Sequence, residues 1–229
     1  MKKPEVLFED NHLVIVNKQS GDITQGDKTG DLTLGDAIKA YIKEKYNKPG
    51  NVFLGVIHRL DRPTSGIVIY ARTTKALTRM NKMFRTKEIQ KTYWAVVEQK
   101  PKVLEGKRVD YLIKNTSQNK SYTTKESNEK AKQAVLNYRY LASSDKYHLL
   151  EIDLETGRHH QIRVQLGSMG CIIKGDLKYG AKRSNKDGSI HLHARKIDFI
   201  HPVTKEEITV VAPTPSEDPI WKYFEEVVK

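Results

Sequence analysis

The opening stretch EVLFEDNHLVIVNK sets two short apolar runs on either side of Glu9-Asp10-Asn11, which predicts two strands joined by a turn. Residues 19–31, QSGDITQGDKTGD, are rich in Gly, Asp and Thr and read as a loop. From Leu34 the apolar positions shift to Leu34, Ile38, Tyr41 and Ile42, the spacing of an amphipathic helix stopped by Lys48-Pro49-Gly50. NVFLGVI and GIVIYAR then read as strands on either side of HRLDRPTSG. A second helix follows, with Thr73 or Thr74 as its cap and Leu77, Met80, Met83 and Phe84 on its apolar side.

Strand patterns recur in KTYWAVVEQ, QAVLNYRYLA and YHLLEIDLE, and in a closing pair, IHLHARKIDFIHP with EEITVVAP. Residues 114–132 are polar without a period, so either a surface hairpin or a lysine-bearing finger over a polyanion fits them. GRHHQIRVQLGSMG fits a strand through Ile162, Val164 and Leu166, and a helix through Ile162, Leu166 and Met169. Asp218 and Pro219 supply a cap and a first residue for a final helix over 218–229. There is no internal repeat and no long linker, and strands mostly follow strands. The expected class is α+β with a mainly antiparallel sheet, in a single domain over 1–229.

Charge narrows the function. Forty Lys and Arg against 28 Asp and Glu give a net charge of +12, the balance of a protein that meets polyanions, nucleic acid first among them. No apolar run is long enough for a membrane helix, and Glu5, Glu9 and Asp10 interrupt any leader-like segment. Cys171 stands alone, so an internal disulfide and a cysteine-rich zinc site are excluded and a cytoplasmic location is expected.

Several chemistries can be weighed. His191 and His193 would share one face of a strand, but no HExxH or Cys-bearing motif joins them, His159-His160 or His201 into a metal site. The 19–31 loop lacks the spacing of a phosphate-binding P-loop, and no GxSxG surrounds Ser65. Asp61 differs from these. It lies in a short loop bounded by Pro63 and Gly66, with Arg59 and Arg62 beside it and Arg158 and Arg163 in GRHHQIR. A carboxylate–guanidinium contact at about 4 Å is worth roughly 4 kcal/mol at an effective dielectric of 20, before desolvation is subtracted. It lowers a carboxylate's pKa and fixes its direction, which suits both a structural ion pair and a working carboxylate.

HRLDRPTSGIVIYAR resembles the signature of the RluA family of RNA pseudouridine synthases, HRLDxxTSG followed by an apolar strand. KTYWAVV resembles that family's second motif and GRHHQIRVQL its third, GRxHQIR; GDLKYG and HLHARKIDFIHPVT resemble later stretches. These segments keep the family's order over about residues 5–212. The resemblance implies a bent, mainly antiparallel sheet flanked by helices, with the active-site cleft across its middle and GRHHQIRVQLGSMG as a helix. It also implies a cofactor-free isomerisation, in which the glycosidic bond of a uridine is broken and uracil is rejoined through carbon 5. By the same resemblance Asp61 is the catalytic aspartate, as nucleophile on the sugar or as base at its 2′ position. Tyr93 packs against the target base and Arg163 pairs with the catalytic aspartate. Arg59 enters the RNA stack where the uridine leaves, and His58, Arg62, Thr64 and Arg158 complete the substrate-binding set. The implied partner is ribosomal or transfer RNA, and a monomer with no membrane association is expected.

Two departures stand out. The family pattern begins within ten residues of Met1, so the S4 RNA-binding domain carried by many members is not expected, and Gln19 replaces the proline of the family's NKPxG. Two rival readings stand beside the isomerase. One is an RNA-binding protein without turnover; the other is a metal-dependent nuclease using Asp61 and histidines.

Overall fold

The computed structural model describes residues 3–26 and 30–228. Asp27, Lys28 and Thr29, which include the Lys-Thr pair of the predicted 19–31 loop, lie outside the described residues. The chain divides into two compact units, Met1–Ile89 with Ala194–Pro213, and Gln90–His193 with Thr214–Lys229.

The first unit is built on β1 (Val6–Glu9), β2 (Leu13–Lys18), β3 (Gly55–Val56), β4 (Ser65–Ala71), β10 (Leu192–Ile200) and β11 (Glu207–Val211). The first two residues of β10 count with the second unit. The order is β1-β2-β4-β10, with β11 on β10 and β3 on β4. The Asp10 carboxylate makes the turn between β1 and β2 by accepting from the His12 and Leu13 amides. Every residue of β2 and β4 is buried, so the runs LVIV and IVIY are covered on both faces. Helix α1 (Leu34–Lys45) begins in a capping box between Thr33 and Asp36 and buries Leu34, Ile38 and Ile42. Helix α2 (Thr74–Thr86) is capped by Thr73, buries Ala76, Met80 and Met83, and packs against β4.

One expectation for this unit is corrected. NVFLGVI is not a strand throughout; only Gly55 and Val56 pair, with Ala71 and Tyr70. Val56 and Phe53 are exposed, while Val52, Leu54 and Ile57 are only partly buried. Gly55 sits under Leu77, where an added Cβ would come within 2.8 Å of its side chain.

The second unit orders β5 (Gln90–Val97), β9 (His148–Leu154), β8 (Lys132–Ser143), β6 (Glu105–Asn115) and β7 (Lys120–Thr124) in one antiparallel array. Within the polar 114–132 stretch, Lys114 and Asn115 pair with Ser121 and Lys120 as the end of a hairpin, which both of its readings allow. Eleven-residue β6 was not foreseen, because EGKRVDYLIKN has a single buried residue, Leu112. Helix α3 (Gln161–Ser168) resolves the ambiguous GRHHQIRVQL as helix, and all its residues from Gln161 to Leu166 are buried. Helix α4 (Pro219–Val227) starts on Asp218, whose carboxylate accepts from the Ile220 and Trp221 amides. Trp221 and Phe224 of α4 join Trp94, Val96, Ala142 and Leu149 in the core of this unit. Among the described residues, no helix is long and apolar enough to cross a membrane.

Candidate active site

In the first unit, HRLDRPTSG links the end of β3 to the start of β4, and its shape follows from contacts at both ends. The His58 ring stacks on Phe84 at 4.9 Å between centroids, and its Nε2 accepts the Ile69 amide at 3.0 Å. That bond makes Nε2 an acceptor and ties the start of the loop to β4. Leu60 is buried while Arg59 and Arg62 are exposed, so the two guanidinium groups point outward on either side of half-buried Asp61. The Asp61 carbonyl accepts the Thr64 amide at 3.0 Å, closing a tight turn through Pro63. Arg62 Nη2 also reaches Asp31 at 3.6 Å, an exposed pair of little energetic weight. The Thr64 hydroxyl oxygen is buried without a hydrogen-bond partner among the described residues.

At Gly66 the loop enters β4 with φ +111°, and an added Cβ would lie 2.4 Å from the Ala194 carbonyl oxygen. Only glycine fits both the dihedral and the space.

Beneath this loop lies a lysine that sequence reasoning passed over. Lys18 ends β2, is fully buried, and its Nζ donates to the carbonyls of Gln19 (2.9 Å), Arg62 (3.1 Å) and Thr64 (2.7 Å). It pins the backbone on both sides of Pro63. Burial pushes its pKa down to about 8, while Asp22 and Asp61 pull the other way. Gln19, the departure from the family's proline, also bonds Glu5 through its side chain at 3.0 Å. The available signal was a lysine two residues after the apolar run LVIV, at the end of the same strand.

The second unit holds the remaining predicted residues. Tyr93 lies on β5 opposite Ile152 and is 9% exposed. Arg163 lies on α3, buried, and forms a two-pronged pair with Asp176: Nε to Oδ2 and Nη2 to Oδ1, both at 2.7 Å. Asp176 comes from GDLKYG, whose role was not read from the sequence. Two charges taken out of water are tolerable here because the fork of the guanidinium matches both carboxylate oxygens. The guanidinium carbon lies 5.1 Å from the Tyr179 ring, and the Tyr179 hydroxyl accepts the Ser121 amide at 2.9 Å. His160, in a left-handed conformation with φ 54°, places Nδ1 2.9 Å from that hydroxyl and stacks on His159 at 3.8 Å. A strained non-glycine residue held from several sides marks a place the fold over-determines. Arg158 is exposed, and its Nε donates to the Gln133 carbonyl at 2.8 Å.

The other histidines that suggested a metal have structural employment. His191 is buried, stacks on Trp221 at 5.3 Å and faces Asp218 at 3.1 Å. His193 is buried within 5.9 Å of the same indole. His201 accepts the Thr204 amide at Nδ1 and lies 3.1 Å from Asp10 at Nε2.

Set against known proteins, residues 12–168 match the sequence pattern of the family described as RNA pseudouridylate synthase. An uncharacterized RNA pseudouridine synthase of Bacillus subtilis is 34% identical over 219 residues, which cover 93% of this chain and 69% of the relative. The ribosomal large subunit pseudouridine synthase D of Zymomonas mobilis is 32% identical over 223 residues, 93% of this chain and 70% of its own. The solved structure of human RNA pseudouridylate synthase domain containing 4 superposes with a TM-score of 0.77 at 26% identity, covering 93% of this chain and 89% of that one. The chain thus spans about two thirds of these bacterial relatives. The α+β class expected from the sequence is the one observed. A match of this length, over a strand-loop-strand that carries HRLDRPTSG and a helix that carries HQIR, places the chain in the RNA pseudouridylate synthase family, as an isomerase.

Proposed function

We propose that the chain isomerises specific uridines in structured RNA, with Asp61 as the catalytic carboxylate. The observation that carries this reading is the HRLDRPTSG loop itself: one half-buried carboxylate in a backbone pinned by Lys18, closed by the Asp61–Thr64 turn and fixed at Gly66. A carboxylate that must meet a sugar carbon within a few tenths of an ångström needs such a frame. In the reaction the N1–C1′ bond of the uridine breaks, a C5–C1′ bond forms, the C5 proton leaves to water and N1 gains one. Asp61 acts on the ribose, as nucleophile or as base. Tyr93 contacts the freed uracil, and Arg163, whose direction Asp176 holds, serves the catalytic carboxylate. A uridine inside a folded RNA must first leave its stack, at a cost of a few kcal/mol. Exposed Arg59 fills the vacated place, its planar cation suited to stacking on bases. Arg62, Thr64, Arg158 and His58 support the bound strand, His58 through the loop it anchors.

The proposed substrate is ribosomal RNA first, because the Zymomonas mobilis relative is named for the large ribosomal subunit; transfer RNA is the second pool to test. The family pattern runs without a break through residues of both units, which supports reading the chain as one catalytic domain. It is proposed to act as a cytoplasmic monomer, with no cofactor in the reaction. The test is a strain lacking the gene, with pseudouridines mapped by carbodiimide-blocked primer extension in both RNA pools. A site that vanishes with the gene and returns with wild type names the substrate. If no site disappears in either pool, the proposed substrates are wrong.

A further inference from the structure

A groove of about 720 Å³ runs along the second unit between the β6–β7 hairpin, the start of β8 and the Gly157–His159 segment. Its lining includes Lys114, Lys130, Lys132, Arg158 and His159, with no aspartate or glutamate among the lining residues. Lys132 pairs with Leu112, and Lys114 lies two residues along the same strand, so both lysines stand on one face of the sheet. All three lysines are exposed, and none has an ion-pair partner among the described residues. Three other cations of the same unit have carboxylate partners, Lys107 with Glu155, Arg139 with Glu151 and Arg108 with Asp110, and none of the three lines the groove. Glu126 is bonded to Tyr111, and neither it nor Glu129 is in the lining.

Like charges gathered around a concave surface repel one another unless an anion is shared among them. The groove is also held in shape from within. His159 bridges Asn119 and Ser121 through its two ring nitrogens at 3.1 and 2.9 Å, and Arg158 is fastened to the Gln133 carbonyl. Tyr122, in the same lining, is a partly exposed aromatic with Lys120 over its ring at 5.3 Å. Several cations along a track with an aromatic beside them make a surface for a phosphodiester backbone and its bases.

We infer that this groove is a binding track for the RNA backbone, outside the HRLDRPTSG loop, in which Lys114, Lys130 and Lys132 contact phosphates. The inference rests on the reading that the chain acts on RNA. It assigns the polar hairpin a purpose that its sequence left open.

The test uses the full chain and a fluorescein-labelled RNA hairpin with a uridine-bearing loop, titrated at several salt concentrations. The variant is Lys114→Gln/Lys130→Gln/Lys132→Gln. Each phosphate that a lysine ceases to neutralise takes about 0.7–0.9 off the slope of log K against log salt, so the slope should fall by about 2 to 3. Affinity at low salt should fall at least about 10-fold. The matching Lys→Arg triple should keep both, which also guards against a folding defect in the Gln variant. A control triple, Lys102→Gln/Lys146→Gln/Lys222→Gln, removes the same charge from exposed positions off the groove and should leave most of the slope. An unchanged slope in the groove variant, as an acidic protein occupant would give, overturns the inference. So does an equal fall in the control. Tritium release from 5-labelled uridine by wild type reports the catalytic reading separately. An active wild type with an insensitive groove refutes the groove alone, and a wild type that neither binds nor reacts refutes both.

Discussion

Replacing Lys18 by methionine removes the cation beneath the HRLDRPTSG loop while keeping the volume of the side chain. Three carbonyls are deprived of a donor, at Gln19, Arg62 and Thr64. Arg62 retains the Gly21 amide at 2.9 Å and Gln19 the Asp22 amide at 3.3 Å, so the effect falls mainly on Thr64. Hydrogen bonds to a charged donor contribute about 1.5–3 kcal/mol each, and the burial cost of the ammonium offsets part of that; a net destabilisation of about 2–4 kcal/mol at pH 7 follows. The pH dependence is more diagnostic. The folded pKa of about 8 lies below the unfolded value of 10.5, so between those limits the unfolded chain binds more protons. Stability from Lys18 therefore rises with pH across that window, by about 2.5 kcal/mol between pH 7 and pH 10. Methionine cannot titrate, and every other group is common to the two proteins. Urea unfolding at both pH values should show the gap between wild type and Lys18→Met widening by that amount at pH 10. An equal gap at the two values would mean that Lys18 titrates normally, and the account of a desolvated ammonium would fail.

Two further outcomes follow from the geometry. Asp176→Ala should destabilise the protein by about 3–5 kcal/mol, because it strands a buried guanidinium; Arg163→Met/Asp176→Leu should be more stable than either single variant in thermal melts. A double variant no better than Asp176→Ala would show that the pair is not the source of the destabilisation. Gly66→Ala should cost roughly 2–5 kcal/mol, from a φ of +111° and a Cβ driven against the Ala194 backbone. A melting temperature equal to wild type would remove the argument for glycine there.

Much of the fold was legible because its elements advertise themselves. The amphipathic spacing from Leu34, the Thr73 and Asp218 caps and the apolar runs of β2 and β4 each tie one sequence feature to one element. What escaped reading depended on distant partners. β6 is polar along most of its length and is a strand because β7 and β8 flank it, a property of its neighbours. NVFLGVI has strand-like composition but pairs only at Gly55 and Val56. GRHHQIRVQL suits both periods because its helical part, QIRVQL, is buried all round, which erases any amphipathic signal. Among the proposed functional residues, Asp61, Tyr93 and Arg163 were named from the motifs alone. The supports, Lys18 and Asp176, stayed hidden, since their partners lie 44 and 46 residues away for Lys18 and 13 residues away for Asp176.

The central claim is that Asp61 performs the isomerisation. Its most direct test is tritium release from RNA labelled at carbon 5 of uridine, comparing wild type with Asp61→Asn, a change that keeps the size of the side chain and removes its charge. The account predicts release by wild type, unaffected by chelator and with no shortening of the RNA, and none above background by Asp61→Asn that still binds the same RNA. Release by the Asn variant at a rate near wild type would contradict it.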